Sequence, residues 1–385
     1  GDIFTTVPQY MYAVNEGFAG IQQSEGQLLN QLGYWFVDAI GADIITINES
    51  VGKIEQGLMD WLNENLRFKI KDYLPNYELN YIHEIGWHIG FDYKNSLVYI
   101  TKKDYDLKDS SLFKGIYNED DCELGSIYEL DGKLIVITDI DCNYEELEFT
   151  DEEYFCNMSW TLSYSILRKM FKSWHSFVPD YYLFDRYNLF TAKDNALWKH
   201  NKKHDYQVYY NTYYPAGIEL VTKNKSTAYW DNAFVIQDAY RYNTQYKKEL
   251  SVKETFDYGY LYNREQNSGM LTFEKATDYN SSYMSNSIKD SLTQVRIFRN
   301  NDGWSYNGFA DFVVDDSIPH NTCECLDVVY QIPNVDAVDA SKPYYNISQL
   351  RGLYLIQRLY IDNIANRDVR FNLTLLNNNI TYLNR

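Results

Sequence analysis

Residues 158–178 read MSWTLSYSILRKMFKSWHSFV and gather serines, two tryptophans and His175 within one hairpin's length. Those residue types could perform nucleophilic catalysis, a serine attacking with His175 as its base. The chemistry needs a sharp GxSxG turn to expose the serine and a carboxylate to orient the imidazole. Neither accompanies these residues. A competing reading uses only the pattern. Met158, Trp160, Leu162 and Tyr164 alternate with Ser159, Thr161, Ser163 and Ser165. A period of two sends one set into a core and the other towards water. On a strand over 170–178, His175 faces away from Trp174.

Other candidates are weaker. His83, Glu84 and His88 spell HExxxH, one residue longer than the zinc signature HExxH. On the strand expected there, the two imidazoles point to opposite faces, so a structural or surface role is expected. Asp139, Asp141 and Asn143 open like a calcium loop. Tyr144 then replaces the required glycine and Thr150 the closing glutamate, so the segment reads as an acidic connection. Glycoside hydrolysis needs two carboxylates roughly 5 to 10 Å apart. With 54 acidic residues, some pair meets that distance in any fold, and none is singled out. Phosphate-binding GxxxxGK[ST] and GxGxxG loops are absent. The sequence names no catalytic, cofactor-binding or metal-binding residue.

The elements that position these residues follow from a repeat. GWHIGFDYKNSLVYIT (86–101) lies over SWTLSYSILRKMFKSW (159–174) without a gap. Trp87 meets Trp160, Ile89 meets Leu162, Phe91 meets Tyr164 and Val98 meets Phe171. YWFVDAIGADIITIN (34–48) fits the same frame, and YMYAVNEGFAGI (10–21) is a weaker copy. The unit is a strand, a polar turn and a second strand. Asp131-Gly132 and Asp194-Asn195 mark further hairpins. The expected fold is mainly β, with β-propeller-like repeated antiparallel hairpins over 1–205. A short helix is inserted at 57–70, with Leu58, Met59, Leu62 and Leu66 on its packed face. A second all-β unit of sandwich-like type follows over 206–385, closed by a hairpin around Asp362 to Asn366. Asn377-Asn378-Asn379 reads as a turn.

Composition sets outer bounds. The chain has 385 residues, enough for two domains, and aromatics make up 17% with 38 tyrosines. A net charge of −19 argues against specific nucleic-acid binding. Cys122, Cys142, Cys156, Cys323 and Cys325 are odd in number and irregular in spacing, so free thiols are expected. No apolar run reaches membrane-spanning length, and no signal peptide is read. Because the chain opens at Gly1 on GDIFTTV, a strand-like stretch, a portion of a longer polypeptide is expected.

One block resembles a known family. NMSWTLSYSILRKMFKSWHSFVPDYYLFDRYNLFTAKDNALWKHNK (157–202) is similar to a segment of the tail muzzle, or nozzle, proteins of crAss-like bacteriophages, often labelled stabilisation proteins. The shared elements are the strand Trp160 to Ser165, then Phe171 to His175, Pro179, and Leu197 to His200. Residues 33–66 and 351–363 resemble other family elements more weakly, and ILRKM departs from the shorter, more polar turn of the family. The resemblance implies a virion structural protein of a short-tailed phage, made in the bacterial cytoplasm, with no enzymatic activity and no cofactor. It implies a homo-oligomeric ring, expected to be a hexamer, at the distal end of the tail around the DNA exit channel. Partners would be other tail proteins, DNA in transit without specific binding, and a host surface glycan or receptor. Two other classes compete with it. A glycan- or receptor-binding β module requires an open aromatic patch. A propeller-type glycoside hydrolase requires a pocket with two converging carboxylates, one of raised pKa.

Overall fold

Alternating apolar and polar residues build strands here as the sequence predicts, and the protein is mainly β. The computed structural model describes residues 21, 23–30, 33–38, 41, 43–47, 51–54, 58–82, 85–119, 121–200, 207–242, 248–251, 254–263, 265–276, 294–299, 303–307, 309–311, 348–361 and 369–382. The weak repeat over 10–20, His83 and Glu84, Cys323 and Cys325, and the turn at 362–366 lie outside the described residues. Two units divide the chain, the first running to His200 and the second beginning at Asn201.

In the first unit, β1 (Gln27–Asn30), β2 (Gly33–Asp38), β3 (Asp43–Ile47) and β4 (Val51–Lys53) form an antiparallel meander. Helix α1 (Met59–Asn65) follows. Leu62 and Leu66, four residues apart, are buried as expected, whereas Met59 is exposed. Met59 follows Leu58 by one residue, which turns it about 100° away from the Leu58–Leu62–Leu66 stripe. Next come β5 (Gly86–Asp92), β6 (Leu97–Lys103), β7 (Tyr105–Leu107), β8 (Phe113–Ile116), β9 (Ile127–Leu130), β10 (Lys133–Ile137), β11 (Tyr144–Glu146) and β12 (Phe155–Asn157). The unit closes with β13 (Trp160–Ser165), β14 (Met170–His175), β15 (Tyr181–Phe184), β16 (Leu189–Lys193) and β17 (Ala196–Lys199). The Asp131-Gly132 and Asp194-Asn195 turns join β9 to β10 and β16 to β17, with all four residues at positive φ.

The two gapless copies of the repeat do not make two separate sheets. They are the halves of one, ordered β14-β13-β6-β5. Strand β6 lies between the first strands of both copies. Val98 sits between Phe91 and Tyr164, Ile100 between Ile89 and Leu162, and Lys102 between Trp87 and Trp160. The chain between the copies forms its own sheet, ordered β11-β10-β9-β8. A third, three-stranded sheet, β15-β16-β17, covers the face that holds Thr161 and Ser163. That layer overturns the expectation that the serines of 159–165 face water: every residue of β13 is buried.

The second unit opens with the β18 (Val208–Tyr209) and β19 (Thr212–Tyr213) hairpin, within the tyrosine-rich 205–214 stretch. Strand β20 (Ala216–Tyr242) then runs for 27 residues, through both GIELVTK and NAFVIQDA. β21 (Lys248–Ser251), β22 (Tyr258–Tyr262), β23 (Asn267–Ala276), β24 (Gln294–Arg299), β25 (Trp304–Tyr306), β26 (Ala310–Asp311), β27 (Ser348–Gln349), β28 (Arg351–Ile361) and β29 (Val369–Tyr382) follow. Pairings run β20-β25-β24-β23-β22-β28 and return from β28 to β20. The unit is therefore a curled sheet around one interior, not a sandwich. Trp230, Leu261, Leu271, Ile297, Tyr306, Leu355 and Leu359 fill that interior. The closing hairpin is also revised. β28 pairs with the first half of β20, and β29 with the second half. Asn378 lies inside β29 rather than in a turn. Its amide accepts from Gln357 Nε2 at 2.9 Å and donates to Thr222 Oγ1 at 2.8 Å, a side-chain link that replaces the turn role.

Candidate functional site

The polar face of the middle sheet gathers most of the residues first considered for chemistry. Thr101 on β6, Thr161 and Ser163 on β13, His88 on β5 and His175 on β14 share it. Tyr182 and Thr191 come down on them from β15 and β16. Gly90 makes the close approach possible, because a Cβ there would lie 2.4 Å from Cγ of the Tyr182 ring.

The hydroxyls form a chain with a fixed direction. Thr161 Oγ1 donates to the Phe177 carbonyl, 2.5 Å away, which can only accept. Thr161 therefore accepts from Thr101 Oγ1 at 2.8 Å, and Thr101 accepts from the Tyr182 phenol at 2.6 Å. The relay starts on one sheet, crosses two strands of the next and ends on backbone. Members of such a chain polarise one another, and removing one leaves a buried partner unmatched.

Ser163 and His175 do meet: Ser163 Oγ lies 2.9 Å from His175 Nε2. The distance suits a nucleophile and its base, but the surroundings do not. Ser163 Oγ has the Ser173 carbonyl 3.2 Å away, an acceptor for its proton, so the imidazole is the donor to Oγ. Ser163 is 0% exposed, which leaves a substrate no approach. Tyr99 and Phe177 flank the imidazole at ring distances of 5.1 and 5.2 Å. On the far side of Phe177, at 4.8 Å, lies His200, whose Nε2 is 2.7 Å from Thr191 Oγ1.

Burial dominates the titration of all three histidines. It pushes His175 down to about 3, with repulsion from Lys172 and His200 adding to the effect. It pushes His200 down to about 4 against the pull of Asp92. His88 also falls to about 4, with Glu25 resisting and Lys103 assisting. Tyr81, Tyr181 and Tyr182 enclose His88 edge-on at 5.1, 4.5 and 5.4 Å. At neutral pH the three rings carry no charge, and the face acts as neutral polar glue between two sheets.

The opposite face holds a feature the sequence reading missed. Phe68, Trp87, Trp160, Trp61 and Trp174 touch in series at 5.5, 5.3, 4.8 and 5.7 Å. Among them Lys102 is 2% exposed, with Nζ 2.6 Å from Asp104 Oδ2. Nζ also donates to the Asn65 and Arg67 carbonyls at 2.9 and 2.5 Å, at the C-terminal end of α1. A cation suits that end of a helix. Asp104 Oδ2 in turn accepts from the Lys69 amide at 2.8 Å. Burial lowers the Lys102 pKa and raises that of Asp104, each against the attraction of the other. The signal was in the alternation: Val98, Ile100 and Lys102 occupy successive core-facing positions.

The remaining candidates do not assemble. Asp139 turns both carboxylate oxygens into its own turn, accepting from the amides of Asp141 and Asn143 and from the Asn143 side chain, as an acidic connection does. Asp38 and Asp43 face each other across β2 and β3, yet Asp38 accepts from the Gly41 amide and Asp43 pairs with Lys53. Among the described residues no group of metal-ligating side chains converges, and no helix is long and apolar enough to cross a membrane. Cysteine is a correction. Cys122 and Cys142, with Cα atoms 6.1 Å apart, form a disulfide rather than free thiols, because the loop before β9 folds back onto the turn before β11, and Cys156 is disulfide-bonded as well. No protein-family model matches this chain, and a comparison with curated proteins finds no match.

Proposed function

We propose that this chain is a structural virion protein of a short-tailed phage, part of a homo-oligomeric ring around the DNA exit channel at the distal end of the tail. One observation carries the reading. The block by which the chain resembles the muzzle proteins, 157–202, contains His175 and His200, and both are bonded to hydroxyls inside a closed seam between sheets. Motif residues of an enzyme would face a substrate; these bond hydroxyls of their own sheets, with the Phe177 ring between the two imidazoles. The net charge of −19 fits a wall past which DNA slides without being held. The exposed face of the β15–β17 sheet bears Leu183 and Leu197, side chains that suit a protein contact more than a sugar. Imaging an intact particle tests the proposal. The chain is expected as a ring at the tail's distal end, and finding it away from the tail would overturn the reading.

A further inference from the structure

The β11-β10-β9-β8 sheet has two unequal faces. Ile127, Leu134 and Val136 belong to the main core of the first unit. On the other face Tyr128, Ile135 and Ile137 form a small cluster of their own, with Tyr117, Cys122 and Leu130 half-buried against it. The loop over 121–124 lies on Tyr128, whose phenol oxygen accepts from the Glu123 amide at 3.1 Å. The Cys122–Cys142 disulfide ties that loop to the turn over 138–143. Beside the bond, Tyr117 Oη donates to the Cys142 carbonyl at 3.3 Å.

Charge works against this closure. Cys122 lies in EDDCE (119–123) and Cys142 ends DIDC (139–142), six carboxylates and no cation in the two stretches. Lys114 reaches Glu123 at 3.5 Å, and the excess stays strongly negative. Like charges brought together in this way repel. Cys142 also holds a φ of 60°, a left-handed backbone that a residue with a Cβ rarely adopts. A small apolar cluster, like charge and a disfavoured backbone make the closure depend on the bond. Both cysteines are half-buried, open to a small reductant.

We infer that Cys122–Cys142 is a redox latch, a site of thiol–disulfide exchange whose reduction lets like charge push the 121–124 loop off the turn and uncovers Tyr128, Ile135 and Ile137. The reductant class is a dithiol. Its first thiolate attacks one sulfur of the bond and releases the other cysteine. Its second thiolate then displaces the remaining cysteine from the mixed disulfide. Two electrons pass to the protein, the two protons of the dithiol end on Cys122 and Cys142, and the reductant leaves as a disulfide. The main core stays closed, because Ile127, Leu134 and Val136 lie on the other face of the sheet. The latch goes beyond the ring reading and does not depend on it.

Hydrogen exchange of the full chain, resolved by peptide, tests the latch with and without dithiothreitol. Cys156 is also disulfide-bonded, so the double variant Cys122→Ser with Cys142→Ser isolates the latch. In the reduced protein and in the variant, peptides over 117–126 and 135–143 are expected to exchange about a hundredfold faster. In the variant, peptides over 86–103 and 160–175 are expected to keep their protection. Raising salt from about 50 to about 500 mM is expected to slow the opening, by screening the carboxylates. Unchanged exchange at 117–126 and 135–143 in the variant overturns the latch. An opening that spreads through 86–103 and 160–175, or one that salt leaves as fast, overturns it as well.

Discussion

Over β13, β6 and β5 both faces of the sheet are buried, but different forces hold them. One face is aromatic and aliphatic, with the ion pair Lys102–Asp104 in its interior. The other is a seam of hydroxyls and neutral imidazoles under a second sheet. On the first face, burial of apolar area dominates and the charged pair pins a helix end. On the second, hydrogen bonds run from Tyr182 of one sheet through Thr101 and Thr161 of the other to the Phe177 carbonyl. The same strands therefore serve two layers, and a histidine or serine on them is part of the structure.

Acid should separate the faces most. The histidines of the seam titrate at about 3 to 4 when folded, below the ordinary value of 6.5. The unfolded chain binds protons that the folded chain refuses. Their contribution is therefore complete above about pH 6.5 and declines as pH falls towards about 4. The decline is about 1.4 kcal/mol per pH unit for each histidine, about 4 for the three together. Chemical denaturation between pH 7 and 5 reads this slope. His88→Phe should remove about a third of it, and an unchanged slope would show that the seam is not where the protons act.

Lys102→Ala comes next, at about 3 to 5 kcal/mol, because it strands a buried Asp104 carboxylate and leaves the α1 carbonyls unmatched. Urea unfolding measures it, and a loss under about 1 kcal/mol would place this face's stability in packing alone. Gly90→Ala should cost about 1 to 3 kcal/mol by pushing Tyr182 off the sheet, and it should loosen β15–β17 before the rest. Hydrogen exchange resolved by peptide shows whether residues 181–199 open first. Ser163→Ala has the smallest effect, about 1 to 2 kcal/mol, for the two hydrogen bonds to Ser173 and His175. Its melting temperature should move little, and no hydrolytic activity should be lost with it.

Local features were legible and long-range ones were not. Asp131-Gly132 and Asp194-Asn195 announced their hairpins because left-handed turn residues act within four positions of the chain. The repeat revealed both hairpins of the middle sheet, since alternation survives without knowledge of partners. It could not show that the two copies lie side by side, a pairing of β6 with β13 across an intervening sheet. Nor could it show that Thr161 and Ser163 are covered, because the cover comes from Tyr182. Gly90 was the available hint, a lone glycine in a strand where another group comes close. In the second unit, Asn378 looked like turn chemistry, and only the bonds to Gln357 and Thr222 explain an asparagine inside a strand.

The central claim is that this protein assembles rather than reacts, and its mass in solution tests that most directly. Light scattering of the full chain across a hundredfold range of concentration should give one discrete ring, expected at six copies. A mass that stays at the 45.5 kDa of a single chain throughout would contradict the account.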